Sequence, residues 1–357
     1  MKDLLSMLPD ELERFMAELG EPRYRAKQLF EQLHRGIPLE AMTNIGKKTK
    51  EKLSAAAECY LPTVRRKLVS QIDGTIKYLF ELSDSNCVES VLMSYQHGYT
   101  ICISTQVGCA MGCAFCASTI GGRVRNLTPG EMVGQVISSG ADAGVRISNI
   151  VMMGIGEPLD NYDNVIKFLH IVNHEYGLNI GYRHISLSTC GIVDKIYRLK
   201  EENLPITLSI SLHASDDETR SRIMPVNRRW GVSELLDACR DYYAATGRRI
   251  SFEYTLIAGQ NDSPADAERL AALLNSRLRG KGEGMPVHVN LIPVNEVRER
   301  DFVRSAPPAV GEFARILEKK GIRATLRRRL GQDINASCGQ LRRDESRKDE
   351  KSPDQDC

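Results

Sequence analysis

Three closely spaced cysteines, Cys109, Cys113 and Cys116, are the strongest chemical signal in the sequence. Cysteine thiolates are ligands that iron–sulfur clusters and structural zinc use in proteins. A zinc site needs a fourth ligand, usually from a second paired cysteine or histidine motif, and the sequence has no such pair. Three thiolates fit a [4Fe–4S] cluster in which one iron stays open to bind a substrate. A zinc site and a thioredoxin-like redox site at Cys113 and Cys116 remain the alternatives.

The composition is that of a globular protein in a reducing compartment. Ten cysteines occur without a secretory signal, which favours metal ligation or catalysis over a disulfide framework. No apolar run approaches the roughly 18 residues that a membrane span needs, so we expect no membrane span. Reduced thiols favour a cytoplasmic location. The net charge of +2 does not by itself indicate nucleic acid. Basic clusters such as Arg327-Arg328-Arg329 suggest either a phosphate-binding face or solvated surface.

An alternation of strand-like and helical segments predicts the fold class. Hydrophobic patterning indicates strands at 100–105, 149–153, 184–189, 206–212, 250–257 and 287–292, and helices near 129–143, 161–176, 192–202, 231–246, 264–279 and 309–320. Repeated β–α units form a parallel sheet, and six of them indicate an open barrel rather than a closed eightfold one. The sequence thus predicts an α/β fold with a partial (βα)6 barrel.

The chain is predicted to divide into four regions. Residues 1–60 contain amphipathic helices and a lysine-rich stretch, and are expected to form a small helical accessory domain that could contact RNA. Residues 61–97 predict a β-hairpin extension with strands at 76–82 and 88–95. Residues 98–340 form the predicted barrel, and residues 341–357 a charged tail that is expected to be disordered.

Polar residues gather where the predicted parallel strands end. Ligand sites in parallel α/β folds lie at the carboxyl ends of the strands. The second strand ends at Gly156 and Glu157, the third near Ser188 and the fourth at 211–213, while the sixth carries Asn290. These residues predict a binding mouth, although polar groups at strand ends can also serve only the backbone.

The cysteine motif, with Phe115 before its last cysteine and a position after the first barrel strand, resembles that of the radical S-adenosylmethionine superfamily. The resemblance implies that the open iron binds the amino and carboxylate groups of S-adenosylmethionine. The motif Gly154-Ile-Gly156-Glu157-Pro158 resembles the superfamily's GGEP-type motif, which implies a contact with the methionyl amino group.

A longer series of motifs narrows the resemblance. Segments 102–109, 211–215, 222–227, 288–293 and 331–341 closely resemble, in this order, those of the RlmN family of dual-specificity RNA adenine-C2 methyltransferases. The resemblance extends over about residues 10 to 341. It implies a [4Fe–4S] cluster and S-adenosylmethionine as cofactors, with two molecules of S-adenosylmethionine used per turnover.

The resemblance also assigns roles to individual residues. Cys338 matches the cysteine that receives a methyl group, Cys102 the cysteine that resolves a protein–RNA adduct by a transient disulfide with Cys338, and Glu89 the proposed general base. Taken singly, Cys102 could be a buried strand thiol and Glu89 a surface carboxylate. Cys190 stands where the family usually has serine, and is given no role. The cluster ligands are Cys109, Cys113 and Cys116, and the S-adenosylmethionine contacts are Gly156, Glu157, Ser188, Ser211, Leu212, His213 and Asn290.

The implied reaction methylates C2 of adenosine in 23S ribosomal RNA and in tRNA next to the anticodon. Two cysteines suit this reaction, because one carries carbon to the RNA and the other releases it by forming a disulfide. The implied partners are these RNAs, an external electron donor and a disulfide reductant, and a monomer is expected. The alternatives are an adenine-C8 methyltransferase that confers antibiotic resistance, a zinc-stabilised RNA-binding module, and a small-molecule radical enzyme.

Overall fold

The computed structural model describes residues 1–279 and 284–336. Its N-terminal part consists of three helices and a short pair of parallel strands. The residues Leu12, Phe15 and Met16 recur at helical spacing in the first helix and are buried, which is why this segment packs as an amphipathic helix. The elements are β1 (Lys2–Asp3), α1 (Pro9–Glu18), α2 (Tyr24–His34), α3 (Lys47–Ala56) and β2 (Ala57–Glu58).

A ten-stranded sheet organises the rest of the chain. Its first four strands are antiparallel to one another, and six further strands run parallel to the fourth. The antiparallel strands are β3 (Thr63–Val69), β4 (Ile76–Glu81), β5 (Cys87–Tyr95) and β6 (Gly98–Cys102). A separate antiparallel pair, β7 (Gln106–Gly108) and β8 (Arg123–Asn126), encloses the cysteine loop, residues 109–122. The parallel strands that follow are β9 (Ile147–Met152), β10 (Ile185–Thr189), β11 (Thr207–Ser211), β12 (Ile250–Leu256), β13 (His288–Pro293) and β14 (Arg323–Leu326).

The sheet is an open, partial barrel, as predicted. Its strand order is β14-β13-β12-β11-β10-β9-β6-β5-β4-β3, so that β14 and β3 form its two edges. Six β–α units lie between β6 and β14, which confirms the predicted fold class. Because every connection between parallel neighbours runs in the same direction, the carboxyl ends of β6 and β9–β13 meet at one rim.

The helices of the barrel start at strong capping signals. The Thr128 hydroxyl accepts a hydrogen bond from the Glu131 amide, while the Glu131 carboxylate accepts one from the Thr128 amide. Ser263 and Asp266 form the same reciprocal cap. The six predicted barrel helices are confirmed, and the short helix α7 is additional. The helices are α4 (Pro129–Ala143), α5 (Tyr162–Asn173), α6 (Val193–Glu201), α7 (Asp217–Ile223), α8 (Val232–Thr246), α9 (Pro264–Leu274) and α10 (Pro307–Lys319).

Two strands of the sheet were not predicted from hydrophobic patterning. β3 has the sequence Thr-Val-Arg-Arg-Lys-Leu-Val and is largely exposed, because it is an edge strand whose charged residues discourage pairing with other chains. β14 is only four residues long and forms the other edge. The predicted strand at 100–105 is wrong at its end: β6 stops at Cys102, and the chain pairs again only in β7.

The core lies between the sheet and the helices that cover it. Helices α4 and α5, α6 and α8, and α9 and α10 pack side by side. The central strand β12 is buried along its whole length, as expected for a parallel strand covered on both faces. Within residues 1–279 and 284–336, no helix is both long and apolar enough to cross a membrane.

Candidate active site

A cavity of about 880 Å³ opens at the carboxyl ends of the parallel strands. Its wall comes from the ends of β6 and β9–β13, from the cysteine loop and from the segment that follows β14. Residues predicted from separate parts of the sequence therefore meet in one place. Those that line it are Cys102, Cys109, Cys113, Cys116, Gly156, Glu157, Ser188, Ser211 and His213.

The cysteine loop is held in shape by hydrogen bonds to its backbone. Thr119 Oγ1 donates to the carbonyl oxygens of Cys113 (3.1 Å) and Cys116 (2.9 Å), and the Cys116 amide donates to the Cys113 carbonyl (3.1 Å). Gly108 enters the loop with a φ of +77°, and a Cβ there would lie 2.0 Å from the Gly122 carbonyl oxygen. Only glycine permits this close approach of the two loop ends.

The protonation of these thiols bears on the predicted cluster. Burial raises the pKa of Cys109 to about 12 and raises the pKa of Cys113 well above its ordinary value. Such thiols become thiolates only when a nearby positive charge compensates, and the iron of a cluster held by these cysteines would supply that charge. Across the described residues, no group of three or more His, Cys, Asp or Glu side chains is arranged to hold a metal ion. A four-iron cluster spreads its thiolates over several iron atoms, so three thiols facing one cavity fit it better than they fit zinc.

Glu157 joins the end of β9 to the end of β10. Its Oε2 accepts a hydrogen bond from the Cys190 amide (2.8 Å) and its Oε1 accepts one from the Leu159 amide (3.0 Å). Gly156 precedes it with a φ of +110°, where a Cβ would lie 2.7 Å from Gln106 Cβ. Burial raises the pKa of Glu157, so an ammonium group arriving in the cavity would be a favourable partner for this carboxyl. This environment supports its predicted contact with the methionyl amino group.

His213 is a neutral, oriented imidazole at the end of β11. Burial lowers the pKa of His213 to about 3, and the positive charge of Arg220 acts in the same direction. Its Nδ1 accepts a hydrogen bond from the Thr255 amide (2.9 Å), which leaves Nε2 as the donor. The residue has a φ of 58°, in the left-handed region, and its ring meets Phe115 of the cysteine loop edge-on at 5.1 Å. The strained backbone thus turns the ring towards the loop.

Leu212 and Asn290 are placed differently from the other predicted contacts. The Leu212 side chain is fully buried in the core, and only its backbone belongs to the site, with its amide donating to the Glu253 carbonyl (3.0 Å). The Asn290 amide nitrogen donates to Glu253 Oε2 (2.7 Å), while Glu253 itself lines the cavity. Any role of these two residues in cofactor binding therefore depends on backbone atoms or on Glu253.

Glu253 and Arg220 are site residues that sequence reasoning missed. Glu253 is the one acidic residue in the buried strand β12. Because carboxylates are rarely buried without a role, its position in an apolar strand could have indicated a site residue. Arg220 is fully buried and donates to the carbonyl oxygens of Cys190 (2.6 Å) and Ser211 (3.1 Å). It also donates to the Leu212 carbonyl (3.0 Å). Arg220 lies on the short helix α7, whose sequence is rich in charged residues, so nothing in that sequence indicated that this arginine is buried.

The three predicted catalytic residues have different places. Cys102 is the last residue of β6, is buried, and lines the cavity. Glu89 lies on β5, on the same face as Val91 and Met93 of the lining, and forms an ion pair with Lys77. Cys338 lies outside the described residues, as does the predicted tail at 341–357. Gln332 and Ala336, which precede Cys338 in the sequence, line the same cavity as Cys102.

Arginines surround part of the cavity. Arg327, Arg328 and Arg329 follow β14 and line the cavity together with Arg304. Burial lowers the pKa of Arg304, and Arg329 adds to the effect. Four guanidinium groups around one opening form a site with a positive potential that suits a polyanion.

Fold and cavity together define a radical S-adenosylmethionine enzyme. Residues 103–271 match the model of the radical SAM superfamily, and residues 2–59 match that of the ribosomal RNA large subunit methyltransferase N-terminal domain. Membership of this superfamily implies S-adenosylmethionine and a [4Fe–4S] cluster as cofactors.

Full-length relatives narrow the class. A Clostridium novyi (strain NT) protein named "Probable dual-specificity RNA methyltransferase RlmN" is 51% identical over 345 residues, which cover 96% of this chain and 98% of that protein. A protein of the same name from Clostridium botulinum (strain Eklund 17B / Type B) is 52% identical over 344 residues, with 96% and 97% covered. A radical SAM methyltransferase from Sphaerobacter thermophilus superimposes with a TM-score of 0.89 at 43% identity, covering 95% of this chain and 99% of that one. The chain belongs to the RlmN family of radical SAM methyltransferases, which act on RNA.

Proposed function

We propose that this chain methylates C2 of adenosine in 23S ribosomal RNA and in tRNA next to the anticodon, through a methylated cysteine and a transient protein–RNA adduct. The observation that carries the proposal is the shared cavity. The cysteine loop, Cys102, and the residues Gln332 and Ala336 that lead to Cys338 all contribute to its lining. The cavity has three cysteines that could hold a cluster and a further cysteine, Cys102, on its wall. This arrangement suits a reaction in which a protein thiol carries carbon.

Each residue has a defined task in this proposal. The bound cofactors, with two molecules of S-adenosylmethionine per turnover, would supply a methyl group and a carbon-centred radical. Cys338 carries the methyl-derived carbon to C2 of adenine, and Glu89 accepts the proton that C2 loses. The unpaired electron of the adduct would return to the cluster held by the three loop cysteines. The Cys102 thiolate then attacks the Cys338 sulfur, so that a disulfide forms and the sulfur–carbon bond breaks. The electron pair of that bond passes to the carbon, which takes up a proton and becomes the methyl group. An external electron donor and a disulfide reductant restore the enzyme, which accords with a cytoplasmic location.

RNA binding is the second part of the proposal. The target carbon lies inside the base stack, so the adenosine must be flipped into the cavity. Arg304, Arg327, Arg328 and Arg329 would hold the flanking phosphates, since phosphate contacts dominate such affinity. The N-terminal helical domain of residues 1–60, with exposed Lys47, Lys48 and Lys52, would add contacts at a distance, and the protein would act as a monomer.

Nucleoside mass spectrometry tests the proposed activity. Reconstituted holoenzyme is incubated with unmodified ribosomal RNA and, separately, with unmodified tRNA, and the digested RNA is compared with authentic 2-methyladenosine and 8-methyladenosine. We expect 2-methyladenosine from both RNAs. Formation of 8-methyladenosine alone would assign the chain to the C8 reaction, and the absence of any methylated adenosine would reject the proposal.

A further inference from the structure

Lys77 of β4 forms a buried ion pair with Glu89 of β5. Both side chains are 1% exposed, and Lys77 Nζ lies 3.0 Å from Glu89 Oε2. In the register of the two strands Lys77 pairs with Val91, two residues from Glu89, so both side chains project from the same face. Val91 in turn pairs with Cys102 on β6. The pair therefore lies on the sheet face that carries Cys102.

The same ammonium group reaches the segment that precedes Cys338. Lys77 Nζ donates to the carbonyl oxygen of Asn335 at 3.0 Å. The turn between β3 and β4 holds this segment at two further points. Asp73 Oδ2 accepts from the Gly331 amide (2.9 Å), and the Asp333 carboxylate accepts from Ser70 Oγ (2.7 Å) and the Gln71 amide (2.8 Å). These contacts bridge more than 250 residues of sequence, and we call them, together with that of Lys77, the β3–β4 latch.

Stability alone is a weak reason for such a pair. Removing an ammonium and a carboxylate from water is costly, and apolar residues of similar size often stabilise a protein as well or better. A carboxylate that is to accept the C2 proton must, however, be held in the right place and direction, and a cation beside it can do this. Lys77 therefore holds the Glu89 carboxylate in one place, and its hydrogen bond to Asn335 fixes that carboxylate relative to the segment that leads to Cys338.

We propose that Lys77 is a positioning residue for the breakdown of the protein–RNA adduct. This inference rests on the proposed function, because it concerns the step in which Glu89 takes the C2 proton. In that step the proton passes to the carboxylate and the electron pair of the C–H bond stays in the adenine ring. Lys77 contributes the position of Glu89, and does not itself touch the RNA. Without it the adduct forms but is resolved slowly.

The decisive variant is Lys77→Met, which keeps length and removes the charge. Lys67→Met is the matched control, because Lys67 is on the adjacent strand β3 and pairs with the carboxylate of Asp142 at 2.6 Å instead. Reconstituted holoenzymes are assayed with an rRNA fragment for cofactor cleavage, methylation of Cys338, covalent adduct on denaturing gels, and 2-methyladenosine. For Lys77→Met we expect near-normal cofactor cleavage, adduct that accumulates, and product that forms about 10²-fold more slowly. Lys67→Met should match the wild type in all four readouts.

A double variant that removes both charges controls for misfolding. Lys77→Met removes only the ammonium of the buried pair, whereas Lys77→Met combined with Glu89→Gln removes both charges of that pair. If Lys77 acts through Glu89, the double variant should trap as much adduct as Glu89→Gln alone. Equal losses of adduct and product in Lys77→Met and in the double variant would mean a structural role only, and would overturn the inference.

The same assay separates this inference from the proposed function. If Glu89→Gln traps adduct while Lys77→Met turns over normally, the inference on Lys77 fails and the proposed function stands. If the wild type forms no 2-methyladenosine, the proposed function itself fails. If Glu89→Gln turns over normally, Glu89 is not the base, and the inference on Lys77 fails with it. Trapping by both single variants supports both statements.

Discussion

The parallel half of the barrel, β9–β13 with the cysteine loop, and the antiparallel half, β3–β6, hold their functional groups by different means. In the parallel half, neighbouring strand ends are tied by short-range hydrogen bonds to backbone atoms, such as those of Glu157 to Cys190 and of Arg220 to Ser211. In the antiparallel half, a buried ion pair and the β3–β4 latch connect strands to a segment more than 250 residues away.

The two halves meet different requirements of the proposed reaction. Generating a radical needs only a fixed cofactor site, and strand ends in a parallel sheet provide one locally. In the proposed reaction, resolving the RNA adduct needs groups from distant parts of the chain to meet, which long-range contacts would arrange. The comparison predicts that loss of a cluster ligand in the parallel half abolishes all chemistry, while loss of a resolving group in the antiparallel half stops the reaction midway.

Cys113→Ala should have the largest effect. Loss of one of three predicted ligands should remove the cluster and abolish cofactor cleavage, methylation of Cys338 and RNA methylation together. The cluster content is measured by iron and sulfide analysis after anaerobic reconstitution, together with an absorbance spectrum. Cys59→Ala is the control, because Cys59 lies in the segment after α3, far from the loop in sequence. A Cys113→Ala variant with a full complement of iron and sulfide would contradict the ligand assignment.

Cys102→Ala should stop the reaction after cofactor cleavage. Without a thiolate to attack the Cys338 sulfur, RNA should remain covalently attached, and free methylated RNA should fall by more than about 10²-fold. Denaturing gels with labelled RNA detect the attached species. Cys190→Ser controls for loss of a thiol in the same cavity, since burial keeps Cys190 protonated by raising its pKa well above the ordinary value. Recovery of only free RNA from Cys102→Ala would remove its resolving role.

The sequence predicted the parallel half better than the antiparallel half. Helices α4 and α9 begin at capping boxes that can be read locally, and the cysteines and glycines of the rim follow predicted strands. β3 was missed, because its charges obscure the alternation of a strand. The Lys77–Glu89 pair could not be predicted, since burial of a lysine depends on which distant segment covers it. Arg220 was missed for the same reason.

Arg220→Met should have a smaller, mainly structural effect. It removes donors from three buried carbonyl oxygens at the ends of β10 and β11, which should lower the free energy of unfolding by about 3 kcal/mol. Urea unfolding measures this change, and weaker binding of S-adenosylmethionine should accompany it. Arg198→Met, which removes an exposed ion pair with Asp163, should cost less than about 1 kcal/mol. Equal stabilities for the two variants would show that the parallel half does not depend on this arginine.

The smallest expected effect is a pH dependence of the free energy of unfolding. His34 reports on the N-terminal helices and His213 on the parallel half. Burial lowers the pKa of His34 to about 4 and that of His213 to about 3, whereas each would have a value near 6.5 when unfolded. Between those values the unfolded chain binds more protons than the folded one, so stability is present at pH 7 and falls as the pH falls. The loss from pH 7 to 5.5 should be about 1.3 kcal/mol for each histidine.

His213→Asn isolates its share of this loss. Asparagine tolerates the left-handed backbone, so the variant should lose about 1.3 kcal/mol less than the wild type over the same pH interval in urea unfolding. His97→Asn is the control, because an exposed imidazole meets water in both states. Burial raises the pKa of Glu157 and of Glu253, which opposes the trend as their protonation range is approached, but both carboxyls are present in every variant. Identical pH slopes for His213→Asn and the wild type would therefore mean that His213 is charged in the folded site and cannot be the neutral donor that its geometry indicates.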